Sequence, residues 1–308
     1  MFQAMSSTIR SMDRKQDAPS PARIRGTSRT VVLLPLLLLA SCVPKEKVTF
    51  VKPVSTSIRI DAKTPSGRLD QCLEAAHKAW NKVMESPGDA SALTDYNFAV
   101  SRTVTAIKDA GVAPWKAPVR TGGRTLVWKR DSRPDWDPAK YEIIPADTLE
   151  ITGKLVDERE IKAGLGAPLV ARRLADQVHE FAPTPHFYYA ATAVLRFKGN
   201  RCEIAFEDPL ETENVTAGGK TFPLAADYTA PLAMMVVEMH PRSLGIPRLL
   251  RPEKYASTAR IARLESYDPE KRVILFVHGL MDSPATWFPL MNHLRADEKI
   301  RKNYQFWF

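Results

Sequence analysis

Arg272-Val-Ile-Leu-Phe-Val-His-Gly-Leu-Met-Asp-Ser-Pro-Ala-Thr-Trp287 decides the fold of this chain. Apolar residues Val273 to Val277 run without polar alternation into His278-Gly279. Such a run is expected of a parallel strand covered by helices on both faces. Beyond the glycine turn, Ser283 is placed to cap a helix, with Pro284 in its first position. Trp287, Leu290, Met291 and Leu294 then fall at i, i+3, i+4 and i+7, one face that would pack on a sheet. Tyr304-Gln-Phe-Trp-Phe308 begins a second buried strand. Strand, loop, helix and strand in this order make the βαβ unit, so an α/β class is expected.

Upstream, residues 112–257 read as a mostly β region. Thr125–Trp128, Thr148–Thr152 and Tyr188–Phe197 are strand candidates from their aromatic and β-branched content. Ala190–Phe197 and Cys202–Phe206 flank Gly199-Asn200, a pair able to take the positive φ angles of a two-residue hairpin turn. Gly122-Gly123 and Gly218-Gly219 mark further turns, and Tyr267–Lys271 ends the linker to the C-terminal unit. Before this region, residues 66–111 predict a helical hairpin. Leu69, Cys72, Leu73, Ala76, Trp80, Val83 and Met84 share one face, and Leu93, Tyr96, Val100, Val104 and Ile107 share another. Pro87-Gly88-Asp89 separates the two helices. One such pair is not a repeat array, so a packing layer is the expected role.

The polar residues of the middle region are read conservatively. His179-Glu180, and His186 beside Tyr188-Tyr189, are taken as structural before functional. Glu207-Asp208 and Glu211 read as a solvated turn before a carboxylate pair. Cys72 and Cys202 are expected to be buried free thiols, since connectivity cannot be read from spacing. No phosphate loop, dinucleotide fingerprint or metal motif occurs, so no cofactor and no metal are expected. Asn214-Val-Thr216 matches a glycosylation acceptor without further support.

The formal charge is +9, but the first 41 residues hold six basic side chains and only Asp13 and Asp17 as acids. A chain beginning at Cys42 keeps a mild basic excess, which suits a body near an anionic membrane and argues against nucleic acid as a partner. Arg23, Arg25 and Arg29 precede Val31–Ala40, and Ser41-Cys42 follows. A basic flank, an apolar run of about ten residues and a small-residue end make a secretory signal, since a span would need roughly 20. The stretch before Arg23 is long for a signal, and translation from Met12 or later would shorten it. Leu39-Ala40-Ser41-Cys42 resembles the bacterial lipobox, which implies cleavage before Cys42 and lipidation of its thiol. That resemblance further implies a bacterial cell-envelope protein anchored by lipid, with Val43 in the second position favouring the outer membrane facing the periplasm. Residues 42–65 would then be the tether.

Val273–Trp287 resembles the third strand and first helix of the α/β-hydrolase fold, in its lipase and esterase branch with a His-Gly-X loop. The resemblance covers 258–308, the beginning of such a domain, and is preceded by an α+β N-terminal region. It implies hydrolysis of a carboxylic ester or related acyl substrate by a serine nucleophile. Ester hydrolysis passes through a tetrahedral oxyanion, and each fixed donor around it is worth about 10²–10³ in rate. In this fold one donor comes from this loop and the other from the residue after the nucleophile. By the resemblance Leu280 supplies the loop N–H, with Met281 the adjacent alternative, while His278 and Gly279 support the loop. No Gly-X-Ser-X-Gly occurs in the chain, and Phe308 falls inside an apolar strand. The expectation is therefore an N-terminal fragment lacking nucleophile, acid and base, inactive by itself. A lipid-anchored binding or scaffold protein with a degenerate hydrolase portion is the alternative.

Overall fold

The computed structural model describes residues 46–129, 138–154, 156, 158–174, 181–239, 252–255, 261–279 and 283–308. The expected signal, Cys42, His179-Glu180, Leu280 and Met281 lie outside them. The described part mixes helices with a mixed sheet. Residues Val43–Phe308 pack as one unit.

β1 (Lys47–Phe50) lies within the stretch expected to be a tether, yet it pairs antiparallel with β5. Helices α1 (Pro65–Glu85) and α2 (Ala90–Asp109) follow. Thr64 caps α1 by accepting from the Gly67 N–H, and Asp89 caps α2 by accepting from Ser91 and Ala92. The strands run β2 (Val119–Thr121), β3 (Arg124–Trp128), β4 (Tyr141–Pro145), β5 (Leu149–Thr152), β6 (Ile161–Lys162), β7 (Ala167–Arg173), β8 (Tyr188–Lys198) and β9 (Arg201–Glu207). Then come the hairpin β10 (Asn214–Ala217) and β11 (Lys220–Pro223), β12 (Ala226–Asp227) and α3 (Thr229–Met239). The expected β region thus contains a helix. After α4 (Pro252–Tyr255) the chain ends with β13 (Arg272–Leu275), α5 (Phe288–Ala296), α6 (Glu298–Asn303) and β14 (Tyr304–Trp307).

The main sheet has the order β2-β3-β9-β8-β7-β4, antiparallel throughout except for the β3–β9 pair. Gly199-Asn200 closes the β8–β9 hairpin, with Lys198 opposite Arg201 and Gly199 at φ 55°. A side chain at that φ is strained, so glycine belongs there. One face of the sheet carries the α1–α2 hairpin. Leu69, Leu73, Trp80 and Val100 interleave with Leu126, Leu169, Leu195 and Ile204 in one buried core. Cys72 and Cys202 are both free and buried in it, and burial pushes each thiol up to about 12.

Tyr96 joins the two layers. Strand β7 pairs with β8 only as far as Ala193, which leaves the backbone of Leu195 without a ladder partner on that side. The buried Tyr96 hydroxyl donates to the Leu195 carbonyl at 2.5 Å and accepts from its N–H at 2.9 Å. One side chain thereby satisfies both groups, which would be costly if left unpaired.

The opposite face holds a second core. Ile144, Val170 and Tyr188 meet Leu232 and Val236 of α3, and these meet Phe276, Phe288, Met291 and Phe306 of the C-terminal unit. Asp227, nearly fully buried, starts α3 by accepting from the N–H groups of Thr229 and Ala230. Arg159 neutralises it at 2.7 Å.

Candidate functional site

The strand–loop–helix–strand unit is present. β13 and β14 pair in parallel, Arg272 opposite Tyr304 through Leu275 opposite Trp307. Residues 262–264 add an antiparallel segment on the other side of β14, through Ala262 N to Phe308 O at 2.7 Å and Leu264 N to Phe306 O at 3.2 Å. An antiparallel edge on parallel strands is common in doubly wound sheets.

Two expectations need correction. Val273–Val277 is not covered on both faces: Ile274 and Phe276 turn into the core, whereas Val273, Leu275 and Val277 are 47, 52 and 72 % exposed. Ile274 and Phe276 share a core with α3 and α5, while on the other face Phe181 and Tyr267 pack against Trp307 and leave the β13 side chains about half exposed. The helix after the loop is also phased differently. Pro284–Trp287 is a 3₁₀ turn, in which Ser283 makes no side-chain capping bond, and α5 begins at Phe288. Met291 is buried and Trp287 and Leu294 pack against the same core as expected, but Phe288 is buried there and Leu290 is exposed. The tighter 3₁₀ turn rotates the following residues relative to a continuous α-helix, which moves the buried stripe.

The loop leaves from the carboxyl end of β13, the end at which open α/β sheets bind ligands. His278 and Gly279 are exposed, and a Cβ built on Gly279 would meet no atom within 4 Å. His278 Nδ1 lies 3.1 Å from the Gly279 carbonyl oxygen. An oxygen of that kind only accepts, so the Nδ1–H donates and the loop is braced by its own histidine.

Of the residues read conservatively, His186 has acquired partners. Its Nδ1 lies 2.7 Å from Glu238 Oε1, and the Tyr188 hydroxyl donates to Glu238 Oε2 at 2.7 Å. Burial first, and the Glu238 carboxylate second, push the Tyr188 hydroxyl upward. Glu238 was missed, although it is the one charged residue of α3, an otherwise apolar helix. A carboxylate in such a helix needs a partner, and that was a usable signal.

Glu207, Asp208 and Glu211 separate. Glu207 pairs with Arg196 at 2.8 Å, Asp208 is buried and accepts from the Leu210 N–H, and Glu211 pairs with Lys271 at 2.5 Å. The turn is therefore not simply solvated. Asp208 and Glu211 line a cavity of about 330 Å³ with Tyr189, Ser266, Tyr267 and Lys271. Gln305 also lines it, so the cavity lies at the amino end of the parallel pair, away from His278. Among the described residues one group, Glu158, Glu160 and His293, brings three metal-ligating side chains together. No described helix is long and apolar enough to cross a membrane.

Comparison with protein-family models, with curated proteins and with solved structures finds no match to this chain.

Proposed function

We propose that the chain contributes the oxyanion arm of an α/β-hydrolase acting on carboxylic esters, lipase- or esterase-like. The observation that carries this reading is the parallel β13–β14 pair with His278-Gly279 leaving the carboxyl end of β13. At that end, the N–H groups of Leu280 and Met281 follow directly on the glycine. Gly279 leaves open space where a Cβ would stand. Leu280, or Met281 as the alternative, gives one donor and the residue after the nucleophile the other, and donors fixed in advance stabilise the charge that forms on the carbonyl oxygen during acyl transfer. His278 orients the loop rather than taking a proton; its Nδ1–H is already engaged by Gly279.

Under this reading the serine, the acid and the catalytic base come from outside the 308 residues, which hold no Gly-X-Ser-X-Gly. The protein is held at the bacterial envelope through a lipidated Cys42, so its substrates are esters near a membrane.

The test is the coding sequence downstream of codon 308, expressed together with this chain. A Gly-X-Ser-X-Gly in the extension and hydrolysis of a p-nitrophenyl ester are expected. Leu280→Pro, which removes the loop N–H, then lowers kcat by about 10²–10³. In the same cells Cys42→Ala releases the protein from membranes. A stop codon directly after Phe308, or an extension without a nucleophile, would leave the binding-protein alternative in place.

A further inference from the structure

We propose that Glu158, Glu160 and His293 form a divalent transition-metal site that clips the sheet body to the C-terminal βαβ unit. This stands apart from the hydrolase reading, because it uses neither the loop nor any acyl chemistry.

The residues are far apart in sequence and are brought together by fixed backbone. Glu160 N–H donates to Thr229 Oγ1 at 2.7 Å, and Tyr228 N–H donates to the Glu160 carbonyl at 3.0 Å. The buried Asn292 donates to the Glu158 carbonyl at 2.7 Å and accepts from the Thr229 hydroxyl at 2.9 Å. His293 follows Asn292 directly. Glu158 and Glu160 stand two residues apart just before β6, and their carboxylates converge on His293.

Among the described residues the imidazole is the cation that faces the two carboxylates. Arg159 stands between them in sequence, yet its guanidinium is engaged by Asp227 and by the carbonyls of Leu149 and Ala146. Among the described residues no lysine or arginine pairs with Glu158 or Glu160, so two like charges converge on one histidine. One ligating atom from each of the three residues lies within 4.8 Å of the others.

The distances then separate the roles. His293 Nδ1 is hydrogen-bonded to Glu160, which fixes the ring and turns Nε2 toward Glu158. Nε2 and Glu158 Oε2 are 4.0 Å apart, too far for a hydrogen bond. Tetrahedral ligands at roughly 2.0–2.2 Å from zinc stand about 3.3–3.6 Å apart, so the exposed Glu158 side chain closes the remaining few tenths of an ångström on binding. A carboxylate that holds the second ring nitrogen of a metal-binding histidine is the usual supporting partner of such a site. Nε2 and Glu158 therefore bind the ion, water completes its shell, and Glu160 positions the ring. An imidazole nitrogen with carboxylate oxygen suits Zn²⁺ better than Mg²⁺ or Ca²⁺, which take oxygen donors.

The test is calorimetric titration of the full chain, free of any histidine tag, with ZnCl₂, alongside its thermal unfolding. One saturable site and a zinc-dependent rise in Tm are expected, as for any ligand that binds only the folded state. Glu158→Gln and His293→Ala each abolish both effects, while Glu160→Gln weakens binding by about 10–100-fold. His293 and Glu158 are largely exposed, so the zinc-free Tm of these variants stays close to that of the parent. Absence of saturable binding overturns the proposal. So does binding unchanged in His293→Ala, or binding lost in His293→Ala but kept in Glu158→Gln, which would be a lone surface imidazole.

Discussion

The two faces of the main sheet are covered by different means. The α1–α2 hairpin meets its face through a continuous apolar core, with Tyr96 as a polar link between the layers. The C-terminal unit meets the other side partly through Phe288, Met291 and Phe306, and partly through charge. Arg295, buried, reaches Glu265 at 2.9 Å and the Tyr228 carbonyl at 3.1 Å. Arg301, also buried, pairs with Glu213 and lies 4.9 Å over the Tyr228 ring, and Lys162 pairs with the same Glu213. An apolar contact is indifferent to pH and tolerant of small shifts. A charged contact fixes one arrangement and depends on its protonation state. The hairpin thus meets the sheet through apolar contact, and the C-terminal unit through apolar contact and buried charge together.

The largest effect is expected where the C-terminal unit relies on packing. Phe288 is fully buried, and Phe288→Ala should cost about 3–5 kcal/mol. Hydrogen exchange should show protection lost first in 288–307 and retained in α1 and α2. Simultaneous loss in both regions would erase the contrast.

The charged contact comes next. Burial works against ionisation of Glu213, but hydrogen bonds from Lys162 and Arg301 outweigh it and hold the carboxyl below its ordinary value. A lowered folded pKa gives stability that is fully present above the unfolded value of about 4.3 and is lost as pH falls through the folded value. Glu213→Gln should cost about 3 kcal/mol at neutral pH, since Arg301 is left buried without its counter-charge. It should also flatten the acid limb of a denaturant-midpoint profile below about pH 4.3. An unchanged acid limb would remove Glu213 from the account of this contact.

Tyr96→Phe is the smallest of the three. It leaves the ring in place and strands the N–H and C=O of Leu195, a cost of about 2 kcal/mol. Chemical denaturation should show that loss for the body as a whole, with the exchange of 288–307 moved no more than that of α1.

Much of this was legible along the chain, and the failures share one cause. The helical hairpin, the Gly199-Asn200 turn and the strand at Val273 are local: a 3.6 period, a positive φ and an apolar run report on neighbours in sequence. Helix α3 was not read, because Thr229–Met239 is apolar almost all round and shows no stripe. β1 reads as a tether in the sequence because a four-residue strand carries little pattern. The exposed Val273, Leu275 and Val277 look the same in sequence as buried ones, because only the neighbours of a strand decide whether a face is covered. At the candidate site, the His278-Gly279 loop was visible as a contiguous motif. The partners of His186 and His293 were not, since Glu238 lies 52 residues from the first and Glu160 lies 133 from the second.

By itself, then, the order of residues determined the α1–α2 hairpin, the turns and the strand–loop–helix–strand unit, because each depends on interactions within a few residues. The tertiary structure alone decided which face of β13 is buried, that the C-terminal unit is held through Glu213, and that two glutamates meet one histidine. Those depend on which distant backbones are brought side by side, and on burial that makes a charge need its partner.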